Sequence, residues 1–190
     1  MTVLSVLLFA TLLATLLIGA WLLVLYNGLV AARQECVRAW HNIDVLLKQR
    51  HDELPRLVEV CRGYMAYERD TLERVVAART VLATAQDMPA QTRASQAVSE
   101  AVRQLFAVAE RYPDLKANES FARLSARITD LENQIADRRE LYNAAATAWN
   151  TRIEQVPDSF IARAARMVRR ELWRAASAER FAPRVSLAAS

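Results

Sequence analysis

The sequence predicts an all-α protein with an N-terminal transmembrane helix, an antiparallel up-and-down four-helix bundle and a short C-terminal amphipathic helix. Three observations predict this fold. One apolar segment is long enough to cross a bilayer, and apolar residues elsewhere recur three or four positions apart, as on one face of a helix. All three glycines lie in the first third of the chain, and no alternation of period two indicates a strand.

Residues 1–26 form the predicted transmembrane anchor. Residues 3–25 include ten leucines, and no charged side chain precedes Arg33. At about 1.5 Å per residue this segment makes a helix of about 34 Å, which spans a hydrocarbon core of about 30 Å. A cleaved signal peptide is the alternative, but such peptides usually begin with basic residues and have a shorter apolar core.

Basic residues predict the orientation of the anchor. Arg33 and Arg38 follow the apolar segment closely, whereas only the terminal amine precedes it. Because basic residues tend to remain on the cytoplasmic side, we expect a single-pass protein with its N-terminus outside and its bundle in the cytoplasm.

Residues 27–156 are predicted to form the four-helix bundle. The four helices cover about residues 27–50, 52–85, 90–111 and 121–156. Pro55, Pro89 and Pro113 mark the connections, because proline is tolerated in the first turn of a helix but disrupts its interior. At Pro55 both a turn and a kinked continuous helix remain open.

The fourth predicted helix has the most regular apolar stripe. Its apolar residues alternate three and four positions apart, as in a heptad seam, and only Arg138 and Arg152 interrupt the pattern. These arginines are either buried and paired or extended along the rim with the guanidinium in water. The second interpretation is favoured.

A basic amphipathic helix is predicted over residues 157–177, followed by a disordered tail at residues 178–190. Because the fourth helix of an antiparallel bundle returns to the membrane, the basic helix is the candidate membrane-surface contact. The contact residues are Phe160, Arg163, Arg166, Arg169, Arg170, Trp173 and Arg174. Each arginine near an anionic leaflet contributes on the order of 1 kcal/mol. The alternative is a solvated helix packed on the bundle.

The remaining residues give no indication of catalysis. A net charge of +4 is too small to argue for nucleic acid. His41 and His51 lack the spacing of metal ligands, and no phosphate loop or catalytic serine motif occurs. Cys36 and Cys61 fit no metal or redox spacing, so we interpret them as small apolar residues. We therefore expect no enzymatic activity, cofactor, metal, nucleic acid or small-molecule substrate.

Several segments resemble motifs of the LemA family. They are YNGLV at residues 26–30, AW and ID at residues 39–40 and 43–44, LLKQRHDELPRLVEVCRGY at residues 46–64, YPDLKANESF at residues 112–121 and YNAAATAWNTRIEQVP at residues 142–157. The resemblance covers about residues 26–160. It implies a single-pass protein of the bacterial cytoplasmic (inner) membrane with an up-and-down helical bundle, in a family without established catalytic chemistry. Its members usually carry a Phe-Gly-Phe type of segment after the bundle, which this chain lacks.

The sequence thus predicts a membrane-anchored scaffold or adaptor that presents its bundle to protein partners, with membrane lipid as a further partner. The alternative is a protein that organises or remodels the membrane through its anchor and its arginine-rich segment. The sequence names no protein partner, and it leaves open whether the chain forms homo-oligomers.

Overall fold

The computed structural model describes residues 3–173 of the chain. About 85% of these residues are helical and none of them lies in a strand, which confirms the all-α prediction. The helices are α1 (Val3–Arg62), α2 (Arg69–Thr84), α3 (Met88–Ala109), α4 (Pro113–Lys116), α5 (Glu119–Glu154) and α6 (Asp158–Ala164). Arg174 and the predicted disordered tail lie outside the described residues.

The first helix is one continuous element of 60 residues. It extends from the apolar segment into the polar part of the chain without a linker, and Pro55 lies inside it. Of the two alternatives at Pro55, the continuous helix is therefore correct. The apolar segment is not buried against any described part of the chain, and α1 is long and apolar enough to cross a membrane.

The break between the first two helices lies at residues 63–68, where the sequence analysis predicted a continuous second helix. Gly63 directly follows the end of α1, and glycine is a poor helix former. The amide of Met65 donates to Cys61 O at 2.8 Å and closes the turn. The Met65 side chain is buried in the apolar core, so it packs this turn against the bundle.

The chain divides into two compact units. Of the described residues, the anchor unit comprises 3–41 and 141–172, and the bundle unit comprises 42–140 and Trp173. One apolar cluster is buried in the described part of the bundle unit. It lies between four helices, namely α2, α3, the part of α1 after residue 41 and the part of α5 before residue 141. Each of these helices contributes fully buried side chains, for example Leu57, Val75, Leu105 and Ile128. This core is the four-helix arrangement that the apolar periodicity predicts.

A charged network also lies inside the bundle unit. Arg50 is 0% exposed and pairs with Glu132, while it donates to Ser95 Oγ at 2.9 Å and Ser99 Oγ at 3.0 Å. Ser99 in turn donates to Glu132 at 2.7 Å. Burial lowers the pKa of Arg50 although Glu132 opposes this shift, and an arginine remains charged at neutral pH in either case. The buried charge is thus compensated by a carboxylate and two hydroxyl groups.

Replacing Arg50 by alanine should lower the free energy of unfolding by about 3 kcal/mol, because Glu132 then loses its partner inside the bundle. Arg103 provides the matched control, since it and its ion-pair partner Glu100 are 70% and 53% exposed. Arg103→Ala should change the free energy of unfolding by less than about 1 kcal/mol. Urea unfolding of the full-length protein in detergent, followed by circular dichroism, measures both values. Equal losses for the two variants would show that the Arg50 network does not stabilise the core.

Candidate membrane-surface site

The anchor unit brings the end of α5 beside the part of α1 that follows the apolar segment. The Cys36 thiol donates to Ala145 O at 3.2 Å, and Arg152 Nη1 donates to Gly28 O at 2.9 Å. Residue numbers rise along α1 and fall along α5 through these two contacts. The two helices therefore run antiparallel here, and α5 ends near the apolar segment.

Packing in the anchor unit begins close to the apolar segment. The buried apolar cluster consists of Leu29, Cys36, Trp149, Ile153 and Ala162. Leu29 follows Leu25 by four residues, which is about 6 Å along a helix. The headgroup layer of one leaflet has a similar thickness of about 5–8 Å. When the apolar segment fills the hydrocarbon core, the first packed residue of the folded part thus lies at the depth of the headgroups.

Arg152 links three elements of the anchor unit. Its guanidinium donates to Gly28 O in α1 and, through Nε, to the Asp158 carboxylate at the start of α6 at 2.6 Å. A methyl group at position 28 would overlap this guanidinium, so a side chain there would displace the Arg152 guanidinium from its present position. Of the two seam arginines, Arg138 is exposed as favoured. The rim interpretation is wrong for Arg152, because backbone and carboxylate acceptors lie within its reach.

Helix α6 is shorter than the basic helix predicted over residues 157–177. It ends at Ala164, and residues 165–173 are not helical. Arg166 has a φ of 51°, and the amide of Met167 donates to Ala162 O at 2.8 Å. A left-handed residue with this hydrogen bond is a Schellman motif, which stops a helix. Glycine usually marks such an end, and the sequence has arginine there instead.

The first three candidate contact residues lie on the accessible side of α6 and of the turn after it. Asp158 and Ala162 belong to the buried face of α6, whereas Phe160 is 65% exposed. Arg163 and Arg166 are also exposed, and neither forms an ion pair within residues 3–173. One exposed aromatic ring and two guanidinium groups without an ion pair to any described residue thus lie within seven residues of each other in α6 and the turn after it.

The remaining described candidates have other environments. Arg169 is exposed but pairs with Glu154 at 2.9 Å, and Arg170 is half-buried. Trp173 is 3% exposed and lies in the bundle unit, where the Arg139 guanidinium covers its ring at 4.7 Å. Trp173 is therefore not accessible for the surface contact that the sequence predicts, because its ring is buried and covered by a cation.

Residues 167–172, designated the strap, lie against α5 through hydrogen bonds to their main chain. Asn150 Nδ2 donates to Arg170 O at 2.8 Å, and Arg170 N donates to Asn150 Oδ1 at 2.7 Å. The Trp149 indole donates to Val168 O at 3.0 Å. Because Val168 and most of its neighbours expose their side chains, α5 binds the strap mainly through backbone atoms.

Tyr142 makes a further contact of this kind. Its hydroxyl donates to Glu171 O at 2.8 Å, while its buried ring packs edge to face on Trp40 with centroids 5.5 Å apart. Burial raises the pKa of Tyr142 to about 12. The hydroxyl therefore keeps the proton that it donates over the whole physiological pH range.

Tyr142 and Trp149 lie on the apolar stripe of the fourth predicted helix, and their rings are buried as that stripe predicts, but the stripe does not predict their contacts with the strap. The signal was the polar atom that each ring carries, because a buried tyrosine hydroxyl or indole N–H usually finds a partner. Asn150 gives the same signal, since a buried amide is normally hydrogen-bonded. Helical periodicity alone cannot identify the partner.

The structure suggests no metal chemistry in the part of the chain that it describes. No group of three or more His, Cys, Asp or Glu side chains that could hold a metal ion occurs among residues 3–173. Cys36 and Cys61 are free and buried, and burial raises the pKa of both thiols, that of Cys61 to about 11. Both thiols thus stay protonated near neutral pH, and a protonated thiol is a weak nucleophile. The pKa of His51 is lowered by burial and by the nearby Arg79.

Comparison with known proteins decides the family. The model of the LemA family matches residues 39–187, which is well over half of the chain. The chain belongs to the LemA family. This match includes the three residues of α5 that bind the strap, and it confirms the resemblance that the sequence motifs indicated.

Curated relatives of this LemA-family chain come from several bacteria. Magnetosome protein MamQ 2 of Paramagnetospirillum magneticum is 24% identical over 169 residues, which cover 75% of this chain and 62% of that protein. Protein LemA of Metamycoplasma hominis is 27% identical over 128 residues, which cover 67% and 58%. Magnetosome protein MamQ of Magnetospirillum gryphiswaldense is 31% identical over 62 residues, which cover 33% and 23%. The chain spans less than two thirds of the length of these relatives. Family and apolar helix together fit a membrane-associated helical protein.

Replacing Asn150 by alanine should release the strap while α5 stays folded. The amide and the carbonyl of Arg170 both lose their partner, so hydrogen exchange in the strap should accelerate about ten- to a hundredfold. Hydrogen exchange of the full-length protein, followed by mass spectrometry of peptides, measures this rate. Thr147→Ala is the control, because Thr147 is exposed on the same helix. Equal protection of the strap in both variants would contradict the role assigned to Asn150.

Proposed function

We propose that this LemA-family protein is a single-pass scaffold or adaptor, which presents its helical part to protein partners at the bacterial cytoplasmic membrane and catalyses no reaction. The observation that carries the proposal is that packing starts at Leu29, four residues beyond Leu25, in a buried cluster that also contains Trp149 of α5 and Ala162 of α6. A protein that folds this close to its anchor keeps its surface beside the bilayer.

The proposed orientation places the N-terminus outside and the helical part in the cytoplasm. Its support is the position of Arg33 and Arg38 on the exposed surface of α1 just beyond the apolar segment. Moving such residues through the membrane is unfavourable compared with leaving them on the cytoplasmic side.

A candidate surface for a protein partner lies at the turn between α1 and α2 in the bundle unit. Tyr67 is 96% exposed there, and an open groove of about 410 Å³ adjoins the same turn. The groove is lined by Arg62, Met65, Ala66, Arg69, Leu72 and Glu73. Tyrosine and arginine are the residue types that most often dominate the energetics of protein interfaces.

A photo-crosslinking residue in place of Tyr67 tests the scaffold proposal in native membranes. We expect the full-length protein to crosslink one defined protein reproducibly from this position, because the side chain of residue 67 is almost fully exposed. The same residue in place of Val81, an exposed position within α2, is the control and should give little of that product. Crosslinks to lipid alone, or equal capture from both positions, would count against a scaffold.

A membrane-organising or membrane-remodelling function is the second candidate, acting through the anchor and the arginine-rich segment on anionic lipid. The specific observation in its favour is the exposure of Phe160 on a helix that packs against Leu29 at headgroup depth. An aromatic ring inserted between headgroups, together with neighbouring cations, is a recognised mode of interfacial binding.

Vesicles that contain anionic phosphatidylglycerol and the full-length protein test this second function. Native protein should change the vesicle diameter measured by cryo-electron microscopy, and Phe160→Ser should weaken the change because its hydroxyl cannot occupy the apolar boundary. Val81→Ser, outside this segment, should behave as the native protein. Vesicle diameters that do not depend on protein density would contradict a remodelling function.

A further inference from the structure

We propose that Arg163 and Arg166 form a binding site for the phosphate group of an anionic phospholipid, with Phe160 as its apolar neighbour. The proposal rests on the membrane anchoring proposed above and names the chemical group that this segment contacts. The ligand is a lipid phosphate in the bilayer surface and not phosphate in solution.

The position of the site follows from the packing of α6. Ala162 directly precedes Arg163 and packs in the same cluster as Leu29, which lies about 6 Å beyond the end of the apolar segment. An arginine side chain on this helix therefore reaches the layer of about 5–8 Å that contains the lipid phosphates.

The two guanidinium groups are free to bind an anion. Both are exposed, and their side chains make no ion pair within the described residues, in contrast to Arg169, which pairs with Glu154. Guanidinium groups bind phosphate oxygens through two parallel hydrogen bonds. Two such groups three residues apart can hold one phosphate or two neighbouring ones.

The backbone of Arg166 provides the second, independent observation. Its φ of 51° lies in the left-handed region, which is unfavourable for every residue except glycine. The hydrogen bond from Met167 N to Ala162 O holds one side of this turn, and that from Trp149 Nε1 to Val168 O holds the other. Glycine would be more stable at this position of a Schellman motif. An arginine there indicates a side chain that is used outside the fold.

Native mass spectrometry of the full-length protein in detergent, titrated with phosphatidylglycerol or phosphatidylcholine, tests the site. Arg166→Gly should weaken phosphatidylglycerol binding about fivefold, as expected for the loss of one cation from an anionic headgroup. The same variant should raise the Tm by about 2–4 °C, because the left-handed residue is no longer strained. A purely structural role of Arg166 predicts no loss of lipid binding. Arg166→Lys, which keeps the charge but loses the two parallel hydrogen bonds, should retain more of the affinity than Arg166→Gly.

Arg163→Ala should weaken phosphatidylglycerol binding by a similar factor without raising the Tm. Arg169→Ala is the matched control, and it should change binding less than about twofold because its guanidinium is already paired. Equal affinities for the two lipids, or equal losses in Arg166→Gly and Arg169→Ala, would overturn the proposal. A Tm that stays constant or falls in Arg166→Gly would remove the argument from strain and overturn it as well.

Competition with inorganic phosphate distinguishes a lipid phosphate from phosphate in solution as the ligand. Displacement of phosphatidylglycerol by millimolar phosphate would assign the site to a free anion and overturn the lipid assignment, whereas retention of the lipid supports it. Failure of these tests leaves the scaffold proposal intact, because the crosslinks from position 67 are measured in native membranes independently of lipid affinity.

Discussion

The buried apolar cluster of Leu29, Cys36, Trp149, Ile153 and Ala162 is the packing on which the rest of the anchor unit depends. Burial of a leucine side chain contributes about 1.5–3 kcal/mol, and here it brings the ends of two distant segments to the residue where α1 leaves the apolar segment. The hydrogen bond from Arg152 Nη1 to Gly28 O fixes which residues of α1 and α5 lie opposite each other, and a side chain at position 28 would displace this guanidinium. The buried cluster and this hydrogen bond together fix the position of the segment that follows α5 within the anchor unit.

The strap is held mainly through its main chain. Tyr142, Trp149 and Asn150 bind main-chain atoms of residues 168, 170 and 171, so these hydrogen bonds do not depend on the side chains of the strap. This arrangement also leaves the exposed side chains of this region free for contacts outside the fold.

Apolar periodicity was sufficient to predict α3 and α5 to within a few residues, because both helices bury one continuous face. It failed where a single residue decides the backbone. The pattern left both alternatives open at Pro55, and α1 continues through this residue, whereas the end of α1 before Gly63 was not predicted. The left-handed conformation of Arg166 follows the end of α6, and a sequence rich in arginine and alanine does not predict it.

The membrane contact itself stays a prediction, and the structure shows only which of its residues are accessible. Position in the chain and charge identified the arginine-rich segment, and Phe160, Arg163 and Arg166 are exposed as a surface contact requires. The burial of Trp173 could not be foreseen, because residues distant in the sequence form its surroundings. The pairing of Arg152 could not be predicted either. An apolar stripe indicates which face of a helix is buried, but it does not identify the acceptor to which a side chain on that face donates.

The depth of residue 160 in a bilayer tests the central claim most directly. A nitroxide attached to Phe160→Cys in the full-length protein, reconstituted in bilayers containing phosphatidylglycerol, reports its immersion by electron paramagnetic resonance power saturation. The account predicts a position at the level of the lipid phosphates, in contrast to a label at Tyr67→Cys, which should be fully accessible to a water-soluble relaxation agent. A label at position 160 as accessible to water as one at position 67 would contradict the account.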